Sequence, residues 1–168
     1  MPEMEQSVQS NDNSYLDIMV QSLTKKLAVL DAIEKVNMQQ KEILEDDMSS
    51  PDAFDKTVDQ KSEYIDQLDQ LDSGFDKLFD RVKELLETDR ESYRDKIIQM
   101  QELIRQITDR SVDLQKQEAR NKELMTNRFA QVKHRAKSVR ANSKATTEYY
   151  KTMMKSGLID PQFMDNKK

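Results

Sequence analysis

The stretch from Phe54 to Leu86, FDKTVDQKSEYIDQLDQLDSGFDKLFDRVKELL, decides the fold class. Along it Phe54, Val58, Lys61, Ile65, Leu68, Asp72, Phe75, Phe79, Val82 and Leu86 follow one another in alternating steps of four and three residues. That spacing keeps one side of an α-helix in line, which is what a helix lying against other helices requires. Lys61 and Asp72 are the polar members of the line. Phe79 sits on its continuous apolar part and is expected to be buried.

Working outward toward the N-terminus, Leu16, Leu23, Leu30, Asn37 and Leu44 recur every seven residues, supported by Met19, Val20, Leu27, Ile33 and Val36. This predicts a first helix over 15–47, opened by Ser14 with Asp17 in capping-box position. Asn37, the one polar residue on that line, either fixes register at the seam or lies wet near a bundle end. Residues 1–13 offer almost no apolar surface and are expected to form a disordered leader. Ser50, Pro51 and Asp52 announce the second helix, with Ser50 as cap, Pro51 in the first turn and Asp52 at the positive helix end. Gly74 inside that helix costs roughly 1 kcal/mol relative to Ala, so either a neighbouring helix passes close to it or the helix bends there.

Toward the C-terminus the stepping slips at Val82, Leu86 and Arg90, and Thr88-Asp89-Arg90-Glu91 reads as a new capping box. A tight reversal there is expected, a continuous helix being the alternative. The third helix carries Tyr93, Ile97, Met100, Ile104, Ile107 and Leu114. The pattern resumes with Met125, Phe129, Val132, Ala136 and Val139, but from Lys116 to Glu123 only Ala119 is apolar. At 1.5 Å per residue the first two helices would span roughly 50 and 55 Å, whereas an unbroken helix over 88–156 would span roughly 100 Å. Half of it must overhang or fold back. Gly157 suits a left-handed cap with Leu158 against Met153, and Asp160-Pro161 disfavours helix continuation beyond it.

Composition narrows the classes. The 168 residues are 35% charged and 6% aromatic, with no Cys and one His, which fits long helices around a thin seam. Without cysteine, thiolate nucleophiles and Cys-ligated metals are excluded. The polar, acidic start lacks a signal peptide's features, and no apolar run suffices for a membrane span, so a cytoplasmic protein is expected. Residues 1–89 carry 22 acidic against 9 basic side chains, and residues 90–168 carry 10 against 18. Either the halves pair with each other, or the basic half meets an acidic partner.

No constellation points to catalysis. His134 stands alone between Lys133 and Arg135, and two glycines cannot build a phosphate loop or a nucleophile elbow. Glu45-Asp46-Asp47 has adjacent carboxylates that diverge on a helix, a poor metal site. No cofactor is expected. Arg128, Lys133, Arg135, Lys137, Arg140 and Lys144 form an acid-free basic stretch, but the chain is acidic overall and places no stacking aromatics between the charges. No nucleic-acid partner is expected; a basic amphipathic helix is the better reading. Met125, Met153, Met154 and Met164 are either core residues or part of a surface that accepts varied helices.

The approach to the C-terminus, Lys144-Ala145-Thr146-Thr147-Glu148-Tyr149-Tyr150-Lys151-Thr152-Met153, and the tail Ile159-Asp160-Pro161-Gln162-Phe163-Met164-Asp165 resemble the C-termini of bacterial flagellar export chaperones of the FlgN type, relatives in form of the FliT type. Leu30 to Glu34, Phe54 to Asp59 and Gln117 to Leu124 are similar in the same way. The resemblance implies a cytoplasmic, non-enzymatic helical protein without cofactor. Its partners would be hook-associated (junction or cap) subunits, held by an amphipathic helix, and the cytoplasmic domain of the flagellar type III export gate. The acidic leader and the long third helix depart from the family pattern.

Together these readings predict an all-α fold, an elongated antiparallel bundle or coiled-coil hairpin of three long helices, the third broken into a C-terminal arm. The expected organisation is a leader over 1–13, a bundle core over 14–127, and a basic amphipathic arm with an apolar tail over 128–168. Tyr149, Tyr150, Met153, Met154, Leu158, Ile159, Phe163 and Met164 are the candidate partner-binding residues. The protein would act as a monomer or small homo-oligomer. A self-associating structural coiled coil is the alternative function.

Overall fold

The computed structural model describes residues 2–128, 130 and 144–152, with side chains from residue 13 onward within those ranges. The fold is an all-α helical bundle. Its long helices are α1 (Pro2–Glu45), α2 (Pro51–Thr88) and α3 (Arg94–Arg128), with a single 3₁₀ turn at Glu91–Tyr93. Residues 144–152 form a further short helix.

α1 begins at Pro2, well before Ser14, which corrects the expected helix start. Pro2 opens it at a position where proline loses no needed donor, and no glycine or further proline interrupts it. The loop to α2 closes as its residues dictate. Ser50 accepts a hydrogen bond from the Ala53 amide at 3.3 Å, and Pro51 fills the first turn. At the other end Thr88 belongs to α2, its hydroxyl turned back onto the Glu84 carbonyl at 2.8 Å, so it does not cap the next helix. Asp89 receives the Ser92 hydroxyl at 2.8 Å, and the chain reverses there.

Pairwise contacts give the directions. Tyr15 meets Arg81, Lys26 meets Asp72 and Gln40 meets Lys61, so α1 and α2 are antiparallel. Asp17 meets Lys96, Glu34 meets Arg110 and Asn37 meets Gln117, so α1 and α3 run parallel. α1 is the central helix: it packs along both others, whose backbones scarcely approach each other. The ion pairs that join α1 and the loop after it to α3 match an acid of the first half with a base of the second: Lys96 with Asp17, Arg110 with Asp31 and Glu34, and Arg128 with Asp47. Part of the charge asymmetry is thus answered within the chain, although such exposed pairs stabilise it little.

The seven-residue line of α1 is buried throughout, Asn37 included. On α2 the buried line is Phe54, Lys61, Leu68, Phe75 and Val82, joined by Leu86. Phe79 is only half-buried, stacked on Phe75 with ring centroids 6.3 Å apart, which corrects the expectation that it lies in the core. The reason is geometric: of the two lines in a 3,4 pattern, one faces the helix partner and the other flanks it. Gly74 lies in uninterrupted helix, and a Cβ added there would meet nothing within 4 Å, so no neighbouring helix crosses at that point.

The apolar core falls into two clusters. The larger runs from Leu16 and Val82 to Leu30, Leu68 and Leu114, and the smaller joins Leu44, Phe54 and Met125 near the α1–α2 loop. Asn37, Gln40, Lys61, Glu118 and Asn121 are all buried as well. Asn37 Nδ2 donates to Gln117 Oε1 at 3.0 Å, and Asn121 Nδ2 donates to the Asn37 carbonyl at 2.9 Å and to Gln40 Oε1 at 3.2 Å. The apolar-poor stretch from Lys116 to Glu123 is therefore no loosening of the fold; it supplies the α3 side of a polar layer.

Candidate functional site: the face shared by α2, α3 and the 144–152 helix

The 144–152 helix is amphipathic on a small scale. Thr146 and Tyr150 are buried and Tyr149 is half-buried, while Lys144, Ala145, Glu148, Lys151 and Thr152 are exposed, with Lys144 and Glu148 paired one turn apart. The i, i+3, i+4 spacing of Thr146, Tyr149 and Tyr150 places them on one side. Both phenol rings join the main core cluster, their centroids 5.6 Å apart in an edge-on arrangement.

Each tyrosine lies beside a buried lysine–carboxylate pair. Lys26 of α1 pairs with Asp72 Oδ1 of α2, and the Tyr149 hydroxyl donates to Asp72 Oδ2 at 3.1 Å. Asp72 therefore ties together α1, α2 and the short helix. Lys61 of α2 pairs with Glu118 Oε1 of α3 and also donates to Gln40 Oε1 at 3.0 Å. The Tyr150 hydroxyl and Glu118 Oε2 are both buried without a hydrogen-bond partner among the described residues. Through Tyr149 the short helix reaches α2, and through Tyr150 it comes within the field of Glu118 on α3.

The electrostatics follow from burial. Desolvation lowers the pKa of Lys26 and Lys61, opposed in each case by the paired carboxylate. Burial raises both phenols, helped by the charge of Asp72 at Tyr149 and of Glu118 at Tyr150. Asp69 and Asp76 are raised by partial burial and then by repulsion from Asp72 between them. What the arrangement does is hold the 144–152 helix: two phenol rings seated in the core cluster, beside the carboxylates of Asp72 and Glu118.

Of the sequence-predicted site residues, Tyr149 and Tyr150 are brought together here, but inside the bundle. Tyr150 is 0% exposed, so in this state it is a core side chain and presents nothing to a partner. Met153, Met154, Leu158, Ile159, Phe163 and Met164 lie outside the described residues, as do His134 and most of the basic stretch. The reading missed Lys26 and Glu118. Lys61 and Asp72 were visible as polar residues on an otherwise apolar line, a signal that could have marked them as buried partners. Among the described residues no helix is long and apolar enough to cross a membrane, and no group of His, Asp and Glu is placed to hold a metal ion.

The described residues thus form an all-helical bundle with a further amphipathic helix seated against two of its members. The chain belongs to the FlgN protein family, a family of flagellar export chaperones, whose family model matches residues 15–155. Searches of curated proteins and of solved structures give no significant match.

Proposed function

We propose that this chain is a non-enzymatic export chaperone of the flagellar type III system. It acts in the cytoplasm without a cofactor, binds amphipathic helices of hook-associated subunits (junction or cap proteins), and delivers them to the cytoplasmic domain of the export gate. Besides family membership, the observation that carries this reading is the 144–152 helix itself. Its apolar side, led by Tyr150, packs into the core cluster beside Glu118, which supports a helix-in-groove mode for cargo. An isolated short helix is marginal in water, so seating it on a larger apolar face is also the way to shield a cargo helix before assembly.

The proposed partner contacts are Met153, Met154, Leu158, Ile159, Phe163 and Met164 of the tail, adaptable side chains suited to varied helices. Tyr149 and Tyr150 join them when the short helix leaves the bundle. The protein works as a monomer or small homo-oligomer. Co-expression with hook-associated subunits tests the reading. Intact subunits should co-purify with the chain, and subunits lacking their C-terminal helix should not. Co-purification that ignores the helix, or large assemblies of the chain alone that persist on dilution in light scattering, would favour a self-associating scaffold instead.

A further inference from the structure

We propose that the 144–152 helix is a releasable latch whose hold is set by two neighbouring phenol hydroxyls of opposite effect: Tyr149 ties the helix to Asp72, and Tyr150 loosens it. The inference rests on the geometry of the free chain and stands apart from the identity of any cargo.

The Tyr149 hydroxyl donates to Asp72 Oδ2 at 3.1 Å, and Asp72 is fixed from its other oxygen by the buried Lys26. A hydrogen bond to an ionised acceptor that is already held in place belongs to the stronger class, and it costs little ordering to form. The Tyr150 ring is drawn in by its apolar area, but its oxygen arrives buried with no hydrogen-bond partner among the described residues. Glu118 acts on it electrostatically; its Oε1 is taken by Lys61, and its Oε2 is likewise without a hydrogen bond among the described residues. Burying a hydroxyl unpaired costs free energy that a phenylalanine of the same shape would not. One phenol thus adds to docking and the next subtracts from it. Thr146 is the other buried residue among those described in the segment.

Hydrogen exchange followed by mass spectrometry on the full chain tests this, comparing wild type with Tyr149→Phe and Tyr150→Phe. The segment should exchange roughly tenfold faster in Tyr149→Phe, as loss of a bond to a charged acceptor implies, and several-fold slower in Tyr150→Phe. Amides of α1 around Leu30 should be unchanged in both variants. The proposal is overturned if Tyr149→Phe leaves the segment's exchange unaltered or if Tyr150→Phe accelerates it. It is equally overturned if either variant alters α1 as much as the segment, because the hydroxyls would then belong to the bundle core at large.

Discussion

Gly74 and the phenylalanine pair beyond it show how far individual residues follow from local rules. Nothing lies within 4 Å of a Cβ added at Gly74, and the residue is helical without positive φ. Gly74→Ala should therefore stabilise the protein by about 1 kcal/mol, read as a higher urea midpoint with an unchanged slope. Phe75, 4% exposed, should cost about 3–5 kcal/mol when replaced by Ala, and the half-buried Phe79 clearly less. Equal losses at the two would mean that both lines of α2 are core. The periodicity identified these residues as a seam, and it found Leu16, Leu23, Leu30, Leu44, Ile97 and Ile104, all buried. It did not separate Phe75 from Phe79, because a 3,4 repeat states which side of a helix is apolar and leaves open how the partner helix lies across it.

At the scale of elements, the bundle is organised by polar residues at least as much as by apolar ones. Lys61 and Glu118, 5% and 1% exposed by side chain, sit between two apolar clusters and join α2 to α3, whose backbones stay apart. Lys61→Met should cost about 3–5 kcal/mol, since it leaves the Glu118 carboxylate buried and unpaired. Adding Glu118→Leu to that variant should recover most of the loss. Denaturant unfolding of the two single variants and the double variant would show this as a large coupling; additive losses would mean that the pair is not a unit. The layer was half-legible. Lys61, Asp72 and Asn37 stood out because they interrupt apolar lines, whereas Lys26 and Glu118 occupy positions that read as solvated polar faces. Their burial depends on which helix lies opposite, a tertiary fact. The same limit applied to the C-terminal segment: Tyr149 and Tyr150 were recognisable as anchors, but the chain's own bundle is what they anchor to in this state.

For the whole molecule, pH offers a probe of the docked state. Burial, followed by the nearby carboxylates, raises the pKa of Tyr149 and Tyr150 when docked, whereas released phenols ionise near about 10. Docking is thus fully present below about pH 10 and is lost as the pH rises above it. The lowered lysines act in the opposite sense, their contribution growing as pH approaches about 10.4, so global melting would blur the two. Phenolate absorbance after a jump to high pH separates them. A slow ionising phase in the full chain should lose amplitude when Tyr149 and Tyr150 are both replaced by Phe, the rest belonging to the buried Tyr93. Above all, a bundle that belongs to an export-chaperone family and already seats one amphipathic helix should bind another from its cargo. The direct measurement is calorimetric titration of the full chain with a peptide from the C-terminal helix of a hook-associated subunit, beside a shuffled peptide of the same composition. Saturable binding of the first, with a negative heat-capacity change from apolar burial, and none of the second is the expected result. No binding, or equal binding of both peptides, would contradict it.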